Sequence, residues 1–306
     1  AGIVPQCAIL FEELILEAGA PKGAWTTVFA SKDQITMLLQ DDRVQGVTLT
    51  GSEQAGSIVA AEAGRNLKKS VLELGGADVF AVLDDADLDH AADVGTAGRL
   101  SVAGQVCTAA KRFLVHEKVA DSFIDKLVQR FGAIRMGDPM DETIGLGPLS
   151  SMAARDNLTE QVRRAVEAGA HVLHGGNPMQ GEGAFFEPTI LTNVTRENPA
   201  YFEEFFGPVA QVHIVRDDED LVALANDSSF GLGGSIFSAD IDRARAIASR
   251  IETGMVWINA ITGGGPELPF GGVKRSGFGR ELSEVGIKEF VNQKLVIVAH
   301  AGRSRN

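Results

Sequence analysis

Cys107 is the residue of this chain best suited to act as a nucleophile. It follows Gly104-Gln105-Val106, a loop sequence leading out of a predicted helix. A thiol can attack an electrophile because a small thiolate fraction exists near neutral pH, and a helix N-terminus or backbone donors raise that fraction. A buried structural cysteine is the alternative, because a free cysteine commonly packs as a small hydrophobic side chain.

Glu73 is the candidate base. Its carboxylate ends the apolar run Ser70–Leu74 and precedes two glycines, at the strand end where parallel sheets place their ligands. Burial against Leu72 and Leu74 would raise its pKa by desolvation, so that it could take a proton from water. A surface charge at a strand end is the alternative.

Gly51 and Ser52 form a turn from a strand into a helix. Such a turn offers free N–H groups and the positive end of the helix dipole to a phosphate. The segment matches neither Gly-x-Gly-x-x-Gly nor the P-loop, and a plain N-capped helix would have the same sequence.

The histidines do not predict a metal site. His171 and His174 form the one close pair, and neither has a cysteine or an acidic residue at ligand spacing. We therefore expect no bound metal.

Alternating strand and helix patterns must position these residues. Strands are predicted at Trp25–Phe29, Gly46–Thr50, Ser70–Leu74, Val79–Leu83, Phe113–His116, Val209–Val215, Gly234–Phe237, Met255–Asn259 and Lys294–Val298. Helices are predicted at Pro5–Ala18, after a capping box at Ser31, at Ala55–Asn66, and near 88–100, 118–131, 152–168, 240–250 and 281–289. Short connections between strand and helix imply parallel sheets. The loop Ala260–Gly279 is dense in glycine and proline, as functional loops commonly are.

Composition narrows the function classes. The 306 residues are 44% hydrophobic, enough for a large core and about two domains. A formal net charge of -13 argues against nucleic acid as a partner. Two cysteines cannot form a disulfide framework, and no signal peptide or long apolar run is present, which predicts a soluble, cytoplasmic protein without a membrane partner.

Four motifs, in this order, resemble the aldehyde dehydrogenase superfamily. They are Val71-Leu72-Glu73-Leu74-Gly75-Gly76, Gly104-Gln105-Val106-Cys107, Glu203-Glu204-Phe205-Phe206-Gly207-Pro208, and the segment from Pro269 to Glu281. Within that superfamily, the segments Val4–Ala8 and Cys107–Phe113 look most like the bacterial succinate-semialdehyde dehydrogenases.

The resemblance implies an α/β fold with a partial Rossmann-like dinucleotide-binding domain and a second α/β catalytic domain. Residues 1–77 would be the C-terminal part of the first domain and 78–276 the catalytic domain. Residues 277–306 would hold a helix and the strand Lys294–Val298, which would pair across the interface of a homodimer or homotetramer.

The resemblance also implies a role for each matching residue. Cys107 would add to the aldehyde, forming a thiohemiacetal that loses hydride to the nicotinamide and leaves a thioester, and its backbone N–H would help to stabilise the oxyanion. Glu73 would activate the hydrolytic water. The cofactor contacts would be Gly51 and Ser52 at the pyrophosphate, Glu204 at the nicotinamide ribose, Phe206 beside the nicotinamide, and Leu74. The loop Ala260–Pro269 would line the substrate entrance.

Relatives carry a further N-terminal segment with another oxyanion donor and a cofactor-binding lysine. Loss of one oxyanion donor typically costs about 100 to 1000-fold in turnover. We therefore expect the 306-residue chain alone to be a truncated fragment of weak or no activity. Gly2 stands where NAD-preferring relatives commonly have a glutamate, which predicts NADP, with NAD as the alternative cofactor.

Two other classes of protein remain open. A non-catalytic relative would have lost Cys107 or Glu73, and both are present. A coenzyme-A-acylating relative commonly lacks the glutamate, so Glu73 argues against it.

Overall fold

Helices and strands alternate along the computed structural model, which describes residues 2–181 and 183–299. The α-helices are α1 (Pro5–Glu17), α2 (Lys32–Gln40), α3 (Glu53–Arg65), α4 (Leu88–Leu100), α5 (Ala120–Ala133), α6 (Met152–Glu167), α7 (Asp218–Asn226), α8 (Ile241–Ala248) and α9 (Ser283–Ile287). The strands are β1 (Gly46–Thr50), β2 (Lys69–Glu73), β3 (Val79–Val82), β4 (Arg112–His116), β5 (His171–His174), β6 (Thr189–Thr192), β7 (Val209–Val215), β8 (Phe230–Gly231), β9 (Gly234–Phe237), β10 (Trp257–Ile258), β11 (Val273–Lys274) and β12 (Gly277–Phe278). The predicted α/β class is confirmed.

The chain divides into two units. One contains the residues up to Val47 together with Ala61–Lys69, and the other contains Thr48–Ala60 and the chain from Ser70 onward. The predicted domain boundaries at 77/78 and 276/277 stay predictions, and residues 300–306 of the predicted C-terminal segment lie outside the described residues.

A seven-stranded sheet forms the centre of the second unit. Its strand order is β10-β9-β3-β4-β7-β6-β5. Neighbouring strands run parallel except at the edge, where β5 is antiparallel to β6. The predicted parallel arrangement is therefore confirmed for this sheet.

Strand β3 shows why this sheet is covered on both faces. Phe80 and Val82 belong to one hydrophobic cluster, which also contains side chains of α4 and α5. Val79 and Ala81 belong to a second cluster, with side chains of α7 and α8. Because successive side chains of a strand point to opposite faces, a strand buried on both faces is a continuous apolar run.

A smaller sheet positions Glu73. Its order is β1-β2-β12, and β12 runs antiparallel to β2 with Gly277 opposite Glu73. The sequence predicted one continuous loop over Ala260–Gly279, whereas β11 and β12 interrupt it.

One predicted strand is wrong, and a second stays a prediction. Trp25–Phe29 has no strand partner, because Thr27 instead bonds to α1, donating its N–H to Glu12 Oε2 (2.7 Å) and its hydroxyl to Ala8 O (3.1 Å). Lys294–Val298 has no neighbouring strand among the described residues, and the apolar side chains of Leu295–Val298 are exposed. Its pairing with a strand of another copy of the chain stays a prediction.

Strain at Val102 yields a prediction about stability. Val102 adopts φ 50° and ψ 39°, a left-handed conformation that β-branched residues strongly disfavour. Because its side chain is 68% exposed, Val102→Asn should remove this strain with little loss of packing. We expect the free energy of unfolding, measured by denaturant titration, to rise by about 1 kcal/mol.

The matched control is Val28→Asn. Val28 is similarly exposed, at 66%, but does not have a positive φ. The strain interpretation fails if the two variants change the free energy of unfolding equally.

Candidate active site

The loop that carries Cys107 is held by a glycine and a buried arginine. After α4, the chain makes a turn at Ser101–Gly104 before reaching Cys107. Gly104 has φ +73°, and a Cβ there would lie 2.3 Å from Gly207 O, so no other residue fits without displacing the backbone. Arg99 is fully buried and donates from Nη2 to Gly104 O (2.6 Å) and to Gly207 O (2.7 Å). This arginine thus joins the Cys107 loop to the loop that contains Glu204.

One pocket in the second unit collects most of the residues predicted to be functional. It has a volume of about 610 Å³. Its lining consists of Thr50, Gly51, Ser52, Leu74, Gly75, Gln105, Val106, Cys107, Glu204 and Phe206. The predicted nucleophile and all five predicted cofactor contacts therefore line the same pocket. Glu73, the predicted base, does not line it.

Cys107 is partly buried in this pocket. Burial raises the pKa of its thiol, the Lys111 cation opposes that shift, and the Thr108 N–H also favours the thiolate. The cost of burying a charged sulfur therefore exceeds the favourable contributions, and the pKa of Cys107 lies above its ordinary value. The role of Cys107 as nucleophile stays a prediction.

Glu204 is held by two donors. Its Oε1 atom accepts from the backbone N–H of Gly76 (3.1 Å) and lies 3.0 Å from Lys111 Nζ. Its neighbour Phe206 is 48% exposed, which leaves an aromatic face open at the pocket. The carboxylate therefore has a fixed orientation beside an aromatic ring.

Gly51 and Ser52 join β1 to α3. The Ser52 hydroxyl accepts a hydrogen bond from Ala55 N (3.2 Å), so Ser52 caps α3, as expected for an ordinary N-capped helix. Both residues also line the pocket, so capping and a phosphate contact are compatible.

Glu73 is buried with no partner for either carboxylate oxygen among the described residues. A Cβ on Gly271 would lie 2.7 Å from Glu73 Oε1, so this carboxyl group lies against the glycine-rich segment after Phe270. Burial, and secondarily the charge of Glu281, raise the pKa of Glu73 to about 8, and Arg280 opposes the shift. Glu73 is thus buried, and its pKa is shifted upward, as the sequence predicted.

Glu73 and Leu74 are adjacent in the chain and face different surroundings. Leu74 lines the pocket, whereas the Glu73 carboxyl contacts Gly271. Alternation of side chains at the end of β2 accounts for the difference. Glu73 would have to rotate to act in the pocket.

Ser276 anchors the backbone next to Glu73. This buried residue donates from its hydroxyl to Gly75 O (2.7 Å) and accepts from Gly231 N (3.0 Å), and its carbonyl accepts from Leu74 N (3.0 Å). The Lys274-x-Ser276-Gly277 motif thus fixes the end of β2.

Sequence reasoning gave no role to four buried polar residues around the site: Asp78, Arg99, Lys111 and Ser276. The sequence does contain a hint for Lys111, because the charged pair Lys111-Arg112 comes immediately before the apolar strand residues Phe113–Val115. A charged pair leading into a buried strand needs polar partners. The carboxylate partner of Lys111, Glu204, lies far away in sequence.

The described residues form neither a metal-binding cluster nor a membrane-spanning helix. Across 2–181 and 183–299, no group of three or more histidine, cysteine or acidic side chains is arranged to hold a metal ion. None of the helices in that part of the chain is both long enough and apolar enough to cross a membrane.

Comparison with known proteins gives a consistent result. Residues 1–296 match the model of the aldehyde dehydrogenase family. The chain is 53% identical over 294 residues to a succinate-semialdehyde dehydrogenase [NADP(+)] of Deinococcus radiodurans, covering 96% of this chain and 62% of that protein. It is 46% identical over 293 residues to the succinate semialdehyde dehydrogenase [NAD(P)+] Sad of Escherichia coli, covering 96% of this chain and 63% of Sad.

A solved structure agrees with these relatives. Succinic semialdehyde dehydrogenase from Streptococcus pyogenes, in complex with NADP+, superposes with a TM-score of 0.96 at 48% identity, over 98% of this chain and 66% of that one. The chain thus spans 62 to 63% of the length of the two curated relatives.

Proposed function

The chain belongs to the aldehyde dehydrogenase family, and we propose that the protein carrying it oxidises an aldehyde to the carboxylic acid with an NADP cofactor. The observation that carries this proposal is the shared pocket, which places Cys107 beside Ser52, Glu204 and Phe206. A nucleophile and a set of cofactor contacts in one cavity are what the reaction needs.

The proposed chemistry uses Cys107 and Glu73 in succession. The sulfur of Cys107 bonds to the aldehyde carbon as the C=O π bond breaks, and the thiol proton is transferred to the former carbonyl oxygen, which gives a thiohemiacetal. That adduct loses a hydride and its hydroxyl proton and becomes a thioester. Glu73 rotates toward the pocket and takes a proton from water, which displaces the sulfur and releases the acid. When bound, NADP supplies the acceptor for the hydride.

The residues of the pocket fit a dinucleotide. Gly51 and Ser52 present the start of α3, a helix of 13 residues, to the cavity. Glu204 offers a carboxylate to ribose hydroxyls, and the exposed ring of Phe206 offers an apolar face to a flat ring. A helix N-terminus for phosphate, a carboxylate for hydroxyls and an aromatic face suit the three parts of such a cofactor.

Succinate semialdehyde is the substrate that we propose, because two relatives and one neighbouring structure are named for it. The test is to measure kcat/KM with succinate semialdehyde, glutarate semialdehyde and simple aliphatic aldehydes, each with NADP and with NAD. The proposal expects the highest value for succinate semialdehyde with NADP. A preference for an uncharged aldehyde, or a strong preference for NAD, would contradict the corresponding part. Weak activity of the 306-residue chain alone stays a prediction.

Glu204→Gln should weaken binding of NADP. The variant removes a charged acceptor, and a hydrogen bond to a charged group is worth roughly 1.5 to 3 kcal/mol, or about 10 to 100-fold in Kd. Titration calorimetry measures the Kd. The matched control is Glu203→Gln, because Glu203 pairs with Arg164 rather than facing the pocket. Equal affinity of both variants for NADP would exclude the assigned role.

We also propose that the protein is a homo-oligomer. The side chains from Leu295 to Val298 are 71 to 83% exposed, and a continuous row of exposed apolar residues suits pairing with another strand. Light scattering that gives the mass of a monomer at micromolar concentration would contradict this proposal.

A further inference from the structure

Lys111 is buried directly beneath the candidate nucleophile. Its side chain is 2% exposed, and its ammonium group has three partners. Nζ donates to Val106 O (3.0 Å) and to Cys107 O (2.7 Å), and it lies 3.0 Å from Glu204 Oε1. An ammonium has three donors and no acceptor, so the three contacts satisfy it completely.

The charges around Lys111 explain why a cation is stable there. Burial lowers the pKa of Lys111, and the carboxylates of Glu204 and Asp78 oppose that shift while Arg99 adds to it. Asp78 is itself fully buried, with Oδ1 accepting from Gly233 N (3.0 Å). Two cations and two carboxylates thus form one charged cluster, of which Lys111, Arg99 and Asp78 are buried and Glu204 lines the pocket.

Backbone geometry ties this cluster closely to Cys107. A Cβ on Gly76 would lie 2.4 Å from Cys107 O, so the Gly76 backbone packs directly against the atom that Lys111 binds. The N–H of Gly76 donates to Glu204. Lys111 and Gly76 therefore hold the same carboxylate oxygen while contacting the Cys107 carbonyl.

We propose that Lys111 is a positioning residue. Its ammonium group binds both the carbonyl of the nucleophile Cys107 and the carboxylate of Glu204, the proposed cofactor contact, and thereby fixes the distance between these two residues. Its positive charge also favours the thiolate of Cys107. The inference rests on the proposed function in one respect, the contact between Glu204 and the cofactor.

The test uses Lys111→Met in the protein that carries this chain, because methionine keeps an unbranched stem and removes the charge. Alkylation of Cys107 by iodoacetamide is followed by peptide mass spectrometry, which separates it from the exposed Cys7. Loss of a nearby cation should slow alkylation near neutral pH by about tenfold and move its pH midpoint upward by about one unit. The affinity for NADP+, measured by calorimetry, should fall by about tenfold as Glu204 loses its partner.

Lys126→Met is the control. Lys126 lies on α5 and pairs with the exposed carboxylate of Asp89, so neither the alkylation rate nor the affinity for NADP+ should change. An effect on Cys107 alone, with unchanged affinity for NADP+, would overturn the proposed link to Glu204. Unchanged values of both, with a loss of stability only, would show a purely structural role and overturn the proposal.

A second variant covers the case in which Lys111→Met does not fold. Lys111→Met with Asp78→Asn removes one charge of each sign from the buried cluster, and it should retain the loss of affinity for NADP+ because Glu204 still lacks its partner. Loss of the fold in both variants would overturn a positioning role. Failure of the proposed function can be told apart from failure of this inference. The first would appear as an absence of aldehyde oxidation by the unmodified protein, whereas the alkylation rate of Cys107 does not depend on aldehyde oxidation.

Discussion

Replacing Cys107 with alanine is expected to lower aldehyde-dependent reduction of NADP by roughly four orders of magnitude or more, the scale on which loss of a covalent nucleophile acts. The pocket residues that would hold the cofactor are separate side chains, so NADP+ should still bind to the variant. Steady-state kinetics measures the first quantity and calorimetry the second. Retained binding would show that the loss of turnover is chemical.

The chain offers a matched control for this variant in its other cysteine. Cys7 is exposed on α1, and Cys7→Ser should leave turnover within about twofold, as surface substitutions away from a site usually do. Retention of more than a few per cent of the activity by Cys107→Ala, or loss of activity in Cys7→Ser instead, would contradict the role of Cys107 as the nucleophile.

Glu73→Gln is the second variant with a large expected effect. Glutamine has nearly the same shape as glutamate but cannot accept a proton from water, and general base catalysis contributes about 100 to 10,000-fold. We expect a rapid first turnover of NADP reduction, followed by a steady rate slower by about that factor, because the thioester on Cys107 accumulates. Rapid-mixing absorbance measurements separate the two phases. Glu284→Gln, an exposed substitution on α9, is the control and should show no change.

The pH dependence of thioester hydrolysis follows from the pKa of Glu73. Because that pKa is raised to about 8, the carboxyl is mostly protonated at neutral pH, and hydrolysis should rise as the pH increases through about 8 and then level off. Glu281→Gln removes a second cause of the raised pKa and should move the midpoint to lower pH. A midpoint near the ordinary value for glutamate would contradict the buried environment of Glu73.

The fold could be predicted from sequence where local pattern and tertiary context agree. The Ser31 capping box opens α2 as expected, and β7 and β9 have the predicted bounds because their apolar runs are buried in the sheet. Strand β5 was missed, since His171 and His174 flank only two apolar residues on an exposed edge. Trp25–Phe29 has strand-forming residues but bonds to a helix, which no local pattern reveals.

The candidate site was also predictable only in part from the sequence. The motifs identified the nucleophile and the five cofactor contacts of the pocket, because a glycine turn, a Gly-Gln-Val-Cys segment and a Glu-Glu-Phe-Phe segment can be recognised locally. They did not reveal that Glu73 faces Gly271, since that depends on which face of β2 meets a segment about two hundred residues away. Lys111 and Glu204 are likewise distant in sequence, so their ion pair required the tertiary structure.

Covalent catalysis by Cys107 can be tested by detecting the intermediate bound to its sulfur. Glu73→Gln protein is mixed with succinate semialdehyde and NADP+, quenched in acid, digested and examined by mass spectrometry. The peptide containing Cys107 should gain the mass of one succinyl group as NADPH forms. NADPH formation with Cys107 unmodified, or a succinyl group on another residue, would contradict it.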